Sequence, residues 1–134
     1  MFICYTLHCV NVVKKIFMKT LALIPHYNHP TTISHVAQTM RGFGLNVLIV
    51  DDGSREECKP VLQALVSDGI DVLYRPINGG KGAAVKTGLE YAQEHGYTHV
   101  LQVDADGQHC LSDTPKLLAA AEQNPEAVIC GWPQ

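Results

Sequence analysis

The sequence lacks an apolar run long enough to cross a lipid bilayer, which takes about 20 predominantly apolar residues. It also has no excess of positive charge, since 10 Lys and Arg stand against 13 Asp and Glu. A basic patch is the footprint of a nucleic-acid-binding protein, so we expect no nucleic-acid partner. The five cysteines are an odd number without a C-x-x-C pair. This argues against a disulfide scaffold and for a reducing compartment, and we expect the protein to be cytoplasmic.

The beginning of the chain differs in pattern from the rest. Residues 1–17 are largely apolar and carry their positive charge late, at Lys14 and Lys15. A secretory signal peptide carries positive charge before its apolar core, so the order here is reversed. We predict that residues 1–17 are an upstream extension outside the fold and that residues 18–134 form one domain starting at Met18. An amphipathic membrane-surface segment is the alternative interpretation of residues 1–17.

From Thr20 onward, short apolar runs alternate with helical patterns. One example of a helical pattern is the spacing of Ile33, Val36, Ala37 and Met40, which lie on one face of a helix. Continuous apolar strands separated by helices indicate a parallel sheet that is buried on both faces. We therefore predict an α/β fold, a three-layer sandwich with a mainly parallel sheet. The predicted strands are residues 20–25, 46–50, 71–75, 99–103 and 126–130.

Acidic turns follow two of these strands. Asp104 and Asp106 come directly after the strand at 99–103, and Asp51 and Asp52 follow the strand at 46–50. Ligands of such sheets bind outside the carboxyl ends of the strands, so these turns are expected to share a site. Carboxylates are ligands for Mg²⁺ or Mn²⁺, and either Gln108 or His109 could add another. The alternative for residues 104–107 is an ordinary Asx turn with exposed carboxylates.

Two further patterns are open to more than one interpretation. Asp51 and Asp52 either accept hydrogen bonds from a nucleotide or cap the following helix, for which Ser54 and Glu57 have capping-box spacing. The glycine-rich residues 78–82 are either a phosphate-binding turn at a helix N-terminus or a flexible turn that lets the helix pack closely. In the first case Lys81 is the residue expected to meet a phosphate or a base.

Taken together, four motifs resemble those of family 2 glycosyltransferases with the GT-A fold. They are residues 24–28, 50–54, 78–82 with Gly88, and 104–109. The residues of the last motif are most similar to those of polyprenyl-phosphate (dolichol-phosphate) hexosyltransferases. Two positions depart from the pattern: His29 stands where an acid is usual, and Cys110 follows His109 where a proline is frequent.

The resemblance implies a role for each matching residue. Asp104, Asp106 and Gln108 would bind Mg²⁺ or Mn²⁺, which would neutralise the leaving diphosphate. The donor would be a UDP- or GDP-linked sugar. The residues implied to bind it are Pro25, Tyr27, Asn28, Asp51, Asp52, Lys81, Asp104, Ala105 and Asp106.

The resemblance also implies a reaction, the transfer of a sugar to an acceptor such as polyprenyl phosphate or another glycan or lipid. A lipid-phosphate acceptor would bring the protein to the cytoplasmic face of a membrane, as a peripheral contact. The acceptor site and the catalytic base are expected downstream of Gln134, so the chain looks C-terminally truncated. Two alternatives remain at this point: a haloacid-dehalogenase-like phosphohydrolase with its nucleophile in residues 104–107, or an inactive nucleotide-binding remnant.

Overall fold

The structure is a computed structural model that describes residues 2–7 and 18–131. These residues form six strands and four helices, with short 3-10 turns before the second and fourth helices at Glu56–Cys58 and Leu111–Asp113. In chain order the elements are β1 (Phe2–Thr6), β2 (Thr20–His26), α1 (Ile33–Gly42), β3 (Asn46–Asp52), α2 (Lys59–Ser67), β4 (Asp71–Arg75), α3 (Lys81–Glu94), β5 (His99–Gln102), α4 (Thr114–Gln123) and β6 (Ile129–Gly131).

All six strands belong to one sheet, in the order β4-β3-β2-β5-β1-β6. The four strands on one side of the sheet, β4, β3, β2 and β5, are parallel, whereas β1 runs antiparallel to both β5 and β6. From β2 the chain builds outward through β3 to β4, and α3 then carries it back across the sheet to β5 on the other side of β2. The order therefore reverses between β2 and β5, and this is the point where open α/β sheets bind their ligands.

The core lies in two layers, one on each face of the sheet. On one face, side chains of α1, α2 and α4, among them Met40, Leu62 and Leu117, pack against the strands. On the other face α3 packs against β2, β3 and β5 through Ala84 and Ala92. The central strands are buried along almost their whole length, which explains their uninterrupted apolar sequence. The predicted α/β architecture with a largely parallel sheet is confirmed.

The predicted capping box is replaced by a tertiary contact. The 3-10 turn Glu56–Cys58 precedes α2, and no side chain caps the N-terminus of either element. Ser54 Oγ instead accepts a hydrogen bond from the backbone N–H of Asn28 at 3.0 Å, joining the loops after β2 and β3. Asn28 has φ +56°, a left-handed conformation that asparagine tolerates better than most residues.

Residues 1–17 were expected to lie outside the fold, but Phe2–Thr6 form a strand of the sheet. Residues of β1 pair with β5 from Ile3 to Thr6 and with β6 from Phe2 to Cys4. Cys4 is fully buried, and this burial raises the pKa of its thiol to about 11. The apolar composition of the first residues is thus explained by their place in the sheet. Residues 8–17 lie outside the described residues. Within the residues described, no helix is both long and apolar enough to span a membrane.

Candidate functional site

A cavity of about 440 Å³ opens at the carboxyl ends of β2 and β5, where the strand order reverses. The loop after β2, the turn before α3 and the turn after β5 form its walls. Most of the residues that the sequence pointed to line this cavity: Pro25, Tyr27, Asp52, Lys81, Asp104, Ala105 and Asp106. The expected convergence of separate strand ends on one site is therefore present.

Three of the predicted site residues are not among those lining the cavity. Asn28 supports the loop after β2, because its Oδ1 accepts a hydrogen bond from the backbone N–H of Arg55 at 2.9 Å. Asp51 lines a second cavity near α2 and Tyr74. Gln108 is exposed, and its backbone N–H donates to Asp106 Oδ1 at 3.0 Å. This last bond closes an Asx turn, so residues 106–108 adopt the turn and still bring Asp106 to the cavity.

Asp104 lies between two nitrogen-bearing side chains. Lys81 Nζ is 2.5 Å from its Oδ1, and His109 Nε2 is 3.1 Å from its Oδ2. Burial alone would raise the pKa of Asp104, but the hydrogen bonds and positive charge of Lys81, aided by His109, hold that pKa below its usual value. The carboxylate is therefore ionised at neutral pH and available to a cation. Ala105 between the two acids is held by Thr32, whose Oγ1 donates to the Ala105 carbonyl at 2.5 Å.

The carboxylate oxygens at the carboxyl ends of the strands suit a divalent metal that a bound diphosphate also coordinates. Within the described part of the chain, no group of three or more His, Cys, Asp or Glu side chains is arranged to hold a metal ion. Mg²⁺ and Mn²⁺ are commonly bound by one or two carboxylates, with phosphate oxygens and water completing the shell. Asp104 and Asp106 fit that arrangement, in which a diphosphate supplies what the protein does not.

Asp52 is an internal anion at the N-terminus of α3. It is 2% exposed, and its carboxylate accepts hydrogen bonds from the backbone N–H groups of Gly79 at 3.1 Å and Gly80 at 2.8 Å. Arg75 Nε donates to the same carboxylate at 2.8 Å. Two N–H groups of the glycine-rich turn therefore donate to a protein carboxylate. Fewer backbone N–H groups of this turn remain to bind a phosphate.

Asp51 forms a separate buried pair with His26. Asp51 Oδ1 is 2.8 Å from His26 Nδ1, and His26 Nε2 accepts a hydrogen bond from the backbone N–H of His29 at 3.2 Å. With Nε2 as the acceptor, the ring donates its Nδ1–H to Asp51. Burial favours a higher pKa for Asp51, but hydrogen bonds from His26 and Ser54 outweigh it and lower that pKa. The pair fixes the loop after β2 that carries Tyr27.

Sequence reasoning missed Arg75, and it missed the pairing of His26, which also lines the cavity, with Asp51. The signal for both lies in the strand register, because His26 is aligned with Asp51 and Arg75 with Asp52 across parallel strands. Oppositely charged or hydrogen-bonding side chains at aligned positions are close enough to interact. Such alignment becomes visible only after the neighbouring strands are known.

Three proteins to which this chain is similar carry the names of enzymes that act on polyprenyl or dolichyl phosphates. The polyprenol monophosphomannose synthase of Mycolicibacterium smegmatis is 29% identical over 118 residues, which is 83% of this chain and 44% of that protein. The undecaprenyl-phosphate mannosyltransferase of Micrococcus luteus is 30% identical over 131 residues, 87% of this chain and 53% of that protein. The UDP-N-acetylglucosamine–dolichyl-phosphate N-acetylglucosaminyltransferase of Methanococcus voltae is 27% identical over 124 residues, 81% of this chain and 49% of that protein.

The chain spans about half the length of these relatives. The family model described as "Glycosyl transferase family 2", a family in which divalent metal use is general, matches residues 22–134. That range runs from the third residue of β2 through β6 and contains every residue that lines the cavity. The chain therefore belongs to glycosyl transferase family 2.

Proposed function

We propose that this chain is the nucleotide-sugar-binding part of a metal-dependent glycosyltransferase whose acceptor is a polyprenyl phosphate. The observation that carries the proposal is the meeting of Asp104 and Asp106 with Pro25, Tyr27 and Lys81 around one cavity at the reversal of the strand order. The names of the similar proteins support the acceptor, since they specify polyprenol, undecaprenyl phosphate or dolichyl phosphate.

Each part of the cavity suits one part of a UDP- or GDP-sugar. Tyr27 is 48% exposed at the cavity wall and offers an aromatic face on which a base can stack. Asp52 lies in the wall on the α3 side, and we assign it to the base or ribose. Lys81 places an ammonium group near Asp104, at the position where a diphosphate and its metal would meet.

The reaction transfers the sugar from the donor diphosphate to an acceptor oxygen, which breaks the anomeric carbon–phosphate oxygen bond and forms a new bond at the same carbon. A divalent metal bound at this site supplies Lewis-acid stabilisation of the leaving diphosphate. Asp104 and Asp106 would hold it, with Gln108 proposed as a further ligand. Lys81 adds positive charge on the leaving group. We propose that the acceptor site and the base lie in sequence beyond Gln134 and that the protein works at the cytoplasmic face of a membrane.

The test is a calorimetric titration of the chain with UDP- and GDP-sugars, with and without Mn²⁺. We expect binding that depends on Mn²⁺ and that weakens at least about fivefold in Asp106→Asn, because loss of one metal-ligand charge costs on the order of 1–3 kcal/mol. Asparagine keeps the acceptor for the Gln108 N–H, so the turn survives the substitution. Glu122→Gln, an exposed change on α4 that removes the same charge, is the matched control and should bind as the unmodified chain does.

Failure of a folded chain to bind either donor would overturn the donor site and leave the inactive remnant. The phosphohydrolase alternative predicts instead an aspartyl phosphate at Asp104, which is stable in acid and is cleaved by alkali or hydroxylamine. The family membership and the three strand–helix units ahead of Asp104 favour the transferase.

A further inference from the structure

We propose that Lys81 and a divalent cation are alternative partners of Asp104. In the donor-free protein the ammonium group holds the carboxylate, and it moves onto the donor's diphosphate when the metal arrives with that donor. The inference rests on the proposed function, because it takes the donor site and its metal as given.

The first argument is the geometry of the carboxylate. Lys81 Nζ lies 2.5 Å from Asp104 Oδ1, and His109 Nε2 lies 3.1 Å from Oδ2, so both oxygens face a nitrogen. A Mg²⁺-like cation approaches a carboxylate oxygen to about 2.1 Å. An ammonium group and a divalent cation on the same oxygen would be like charges at close range in a partly buried site. The carboxylate therefore has to release Lys81 to bind the metal fully.

The second argument is that Lys81 is free to move. Its side chain is 52% exposed, and its flexible four-carbon stem can redirect the ammonium group by rotation alone. In the part of the chain that the structure describes, Asp104 is the ion-pair partner found for Lys81. His109, by contrast, has a side chain only 12% exposed and is held in place.

The third argument is the position of Lys81 in its helix. Lys81 is the first residue of α3, and the first turn of that helix contains no acidic residue. The N-terminus of a helix carries partial positive charge, so a cation there is unfavourable unless an anion lies close by. Asp52 at the same terminus is 2% exposed and already accepts from Gly79, Gly80 and Arg75. Asp104 is the anion that Lys81 meets in the donor-free state. A diphosphate, with more negative charge than one carboxylate, would attract Lys81 more strongly.

The consequence is that metal and donor bind as a pair. Without a diphosphate, a metal must displace Lys81 from Asp104 and leave the ammonium without an anion. With a diphosphate present, the same displacement gives Lys81 a better partner. Each ligand therefore raises the affinity for the other, as reciprocal coupling requires.

The experiment measures Mn²⁺ binding by electron paramagnetic resonance of the free ion, without nucleotide, in the unmodified chain and in Lys81→Met. Methionine keeps the length and helix propensity of the side chain but removes its charge. We expect Lys81→Met to bind Mn²⁺ alone about fivefold or more tightly. Lys86→Met, an exposed change on the same helix, should leave Mn²⁺ affinity unchanged.

A second titration uses UDP and GDP in the presence of Mn²⁺. The unmodified chain is expected to prefer one of the two nucleotides, and Lys81→Met should bind that nucleotide more weakly. Lys81→Arg keeps the charge and should retain most of the coupling between metal and nucleotide. Circular dichroism establishes that each variant is folded. An Mn²⁺ affinity in Lys81→Met that is equal to or below that of the unmodified chain, or no Mn²⁺ binding at millimolar concentration, overturns the exchange. The metal titration contains no nucleotide, so its outcome is separate from loss of donor binding, which would contradict the proposed function.

Discussion

Asp51 and Asp52 are neighbours in the chain but act on opposite faces of the sheet. Side chains alternate along a strand, so only one of two adjacent residues at the end of β3 can face α3. Asp52 faces α3 and the donor cavity, where it binds the turn at Gly79 and Gly80. Asp51 faces the second cavity and pairs with His26. The two adjacent acids therefore have separate roles, and each makes its hydrogen bonds on a different side of the sheet.

Replacement of Asp52 by asparagine tests its role as an internal anion. Asp52→Asn removes the charge that Arg75 meets at 2.8 Å and weakens acceptance from two backbone N–H groups. We expect the free energy of unfolding to fall by about 2 kcal/mol, measured by urea denaturation. Asp68→Asn, which alters an exposed hydrogen bond to Gln38, should change it by less than about 0.5 kcal/mol. Equal effects of the two substitutions would contradict a structural role for Asp52.

His99 makes stability depend on pH below neutrality. Burial lowers the pKa of His99, and this outweighs the opposing effect of a hydrogen bond to the Pro125 carbonyl. Because the folded pKa lies below the unfolded value of about 6.5, the unfolded chain binds the proton more readily. The stabilisation is complete above pH 6.5 and is lost as the pH falls towards the folded pKa.

Urea midpoints at several pH values between 7.5 and 5 measure this effect. We expect the midpoint of the unmodified chain to fall with pH and that of His99→Gln to fall less steeply. His35→Gln, at an exposed position, should follow the unmodified chain. A slope that is the same in all three proteins would assign the pH dependence to other groups.

At the scale of elements, α3 is the helix that brings the site together. It begins at Lys81 beside the donor cavity and packs along its length over β2 and β3. Gly88 permits this close approach, since a Cβ at that position would lie 2.2 Å from Leu23 Cδ1. The glycine in the middle of the helix therefore serves packing, even though it costs helix propensity.

Gly88→Ala should destabilise the protein although alanine is the better helix former. Leu23 is fully buried and has little room to yield, so we expect a loss of about 1–3 kcal/mol in urea denaturation. Gly82→Ala is the matched control on the same helix, because no atom lies within 4 Å of its added Cβ. That substitution should be neutral or stabilise by up to about 1 kcal/mol. Partial rescue of Gly88→Ala by Leu23→Val would assign the loss to this contact.

For the whole molecule, the sheet order determines where the site forms, and much of this was predictable from sequence. The parallel strands and the helices follow from apolar periodicity, which is a local property, and β4 has the predicted bounds, Asp71–Arg75. The convergence of the strand ends follows from the parallel arrangement. The insertion of β1 and the pairing of Arg75 with Asp52 depend on contacts between distant residues, which no local pattern encodes.

A chain that starts at Met18 tests the contribution of β1. Without Phe2–Thr6, β5 loses its outer neighbour and β6 loses its pairing partner. We expect the free energy of unfolding to fall by about 2 kcal/mol or more, since buried apolar area and several ladder hydrogen bonds disappear. Hydrogen exchange should show faster exchange at Ile129–Gly131, whereas nucleotide affinity should not change because β1 does not line the cavity.

Cys4→Pro in the full chain should reproduce that result, because proline removes a backbone N–H in the middle of β1. Retained protection of Ile129–Gly131 in both proteins would contradict the pairing of β1 with β6.

The place of β1 in the sheet also has a consequence for synthesis on the ribosome. Ile3 is made about a hundred residues or more before its two partners, Gln102 and Cys130. At roughly 5–20 residues per second, this strand waits on the order of 5–20 s before its neighbours exist. During that interval β2, β3, β4 and α3 can assemble without it. The nascent protein therefore completes one side of its sheet while β1 stays unpaired, exposed and prone to aggregate. A chaperone that recognises extended apolar segments would bind β1 mainly during this interval.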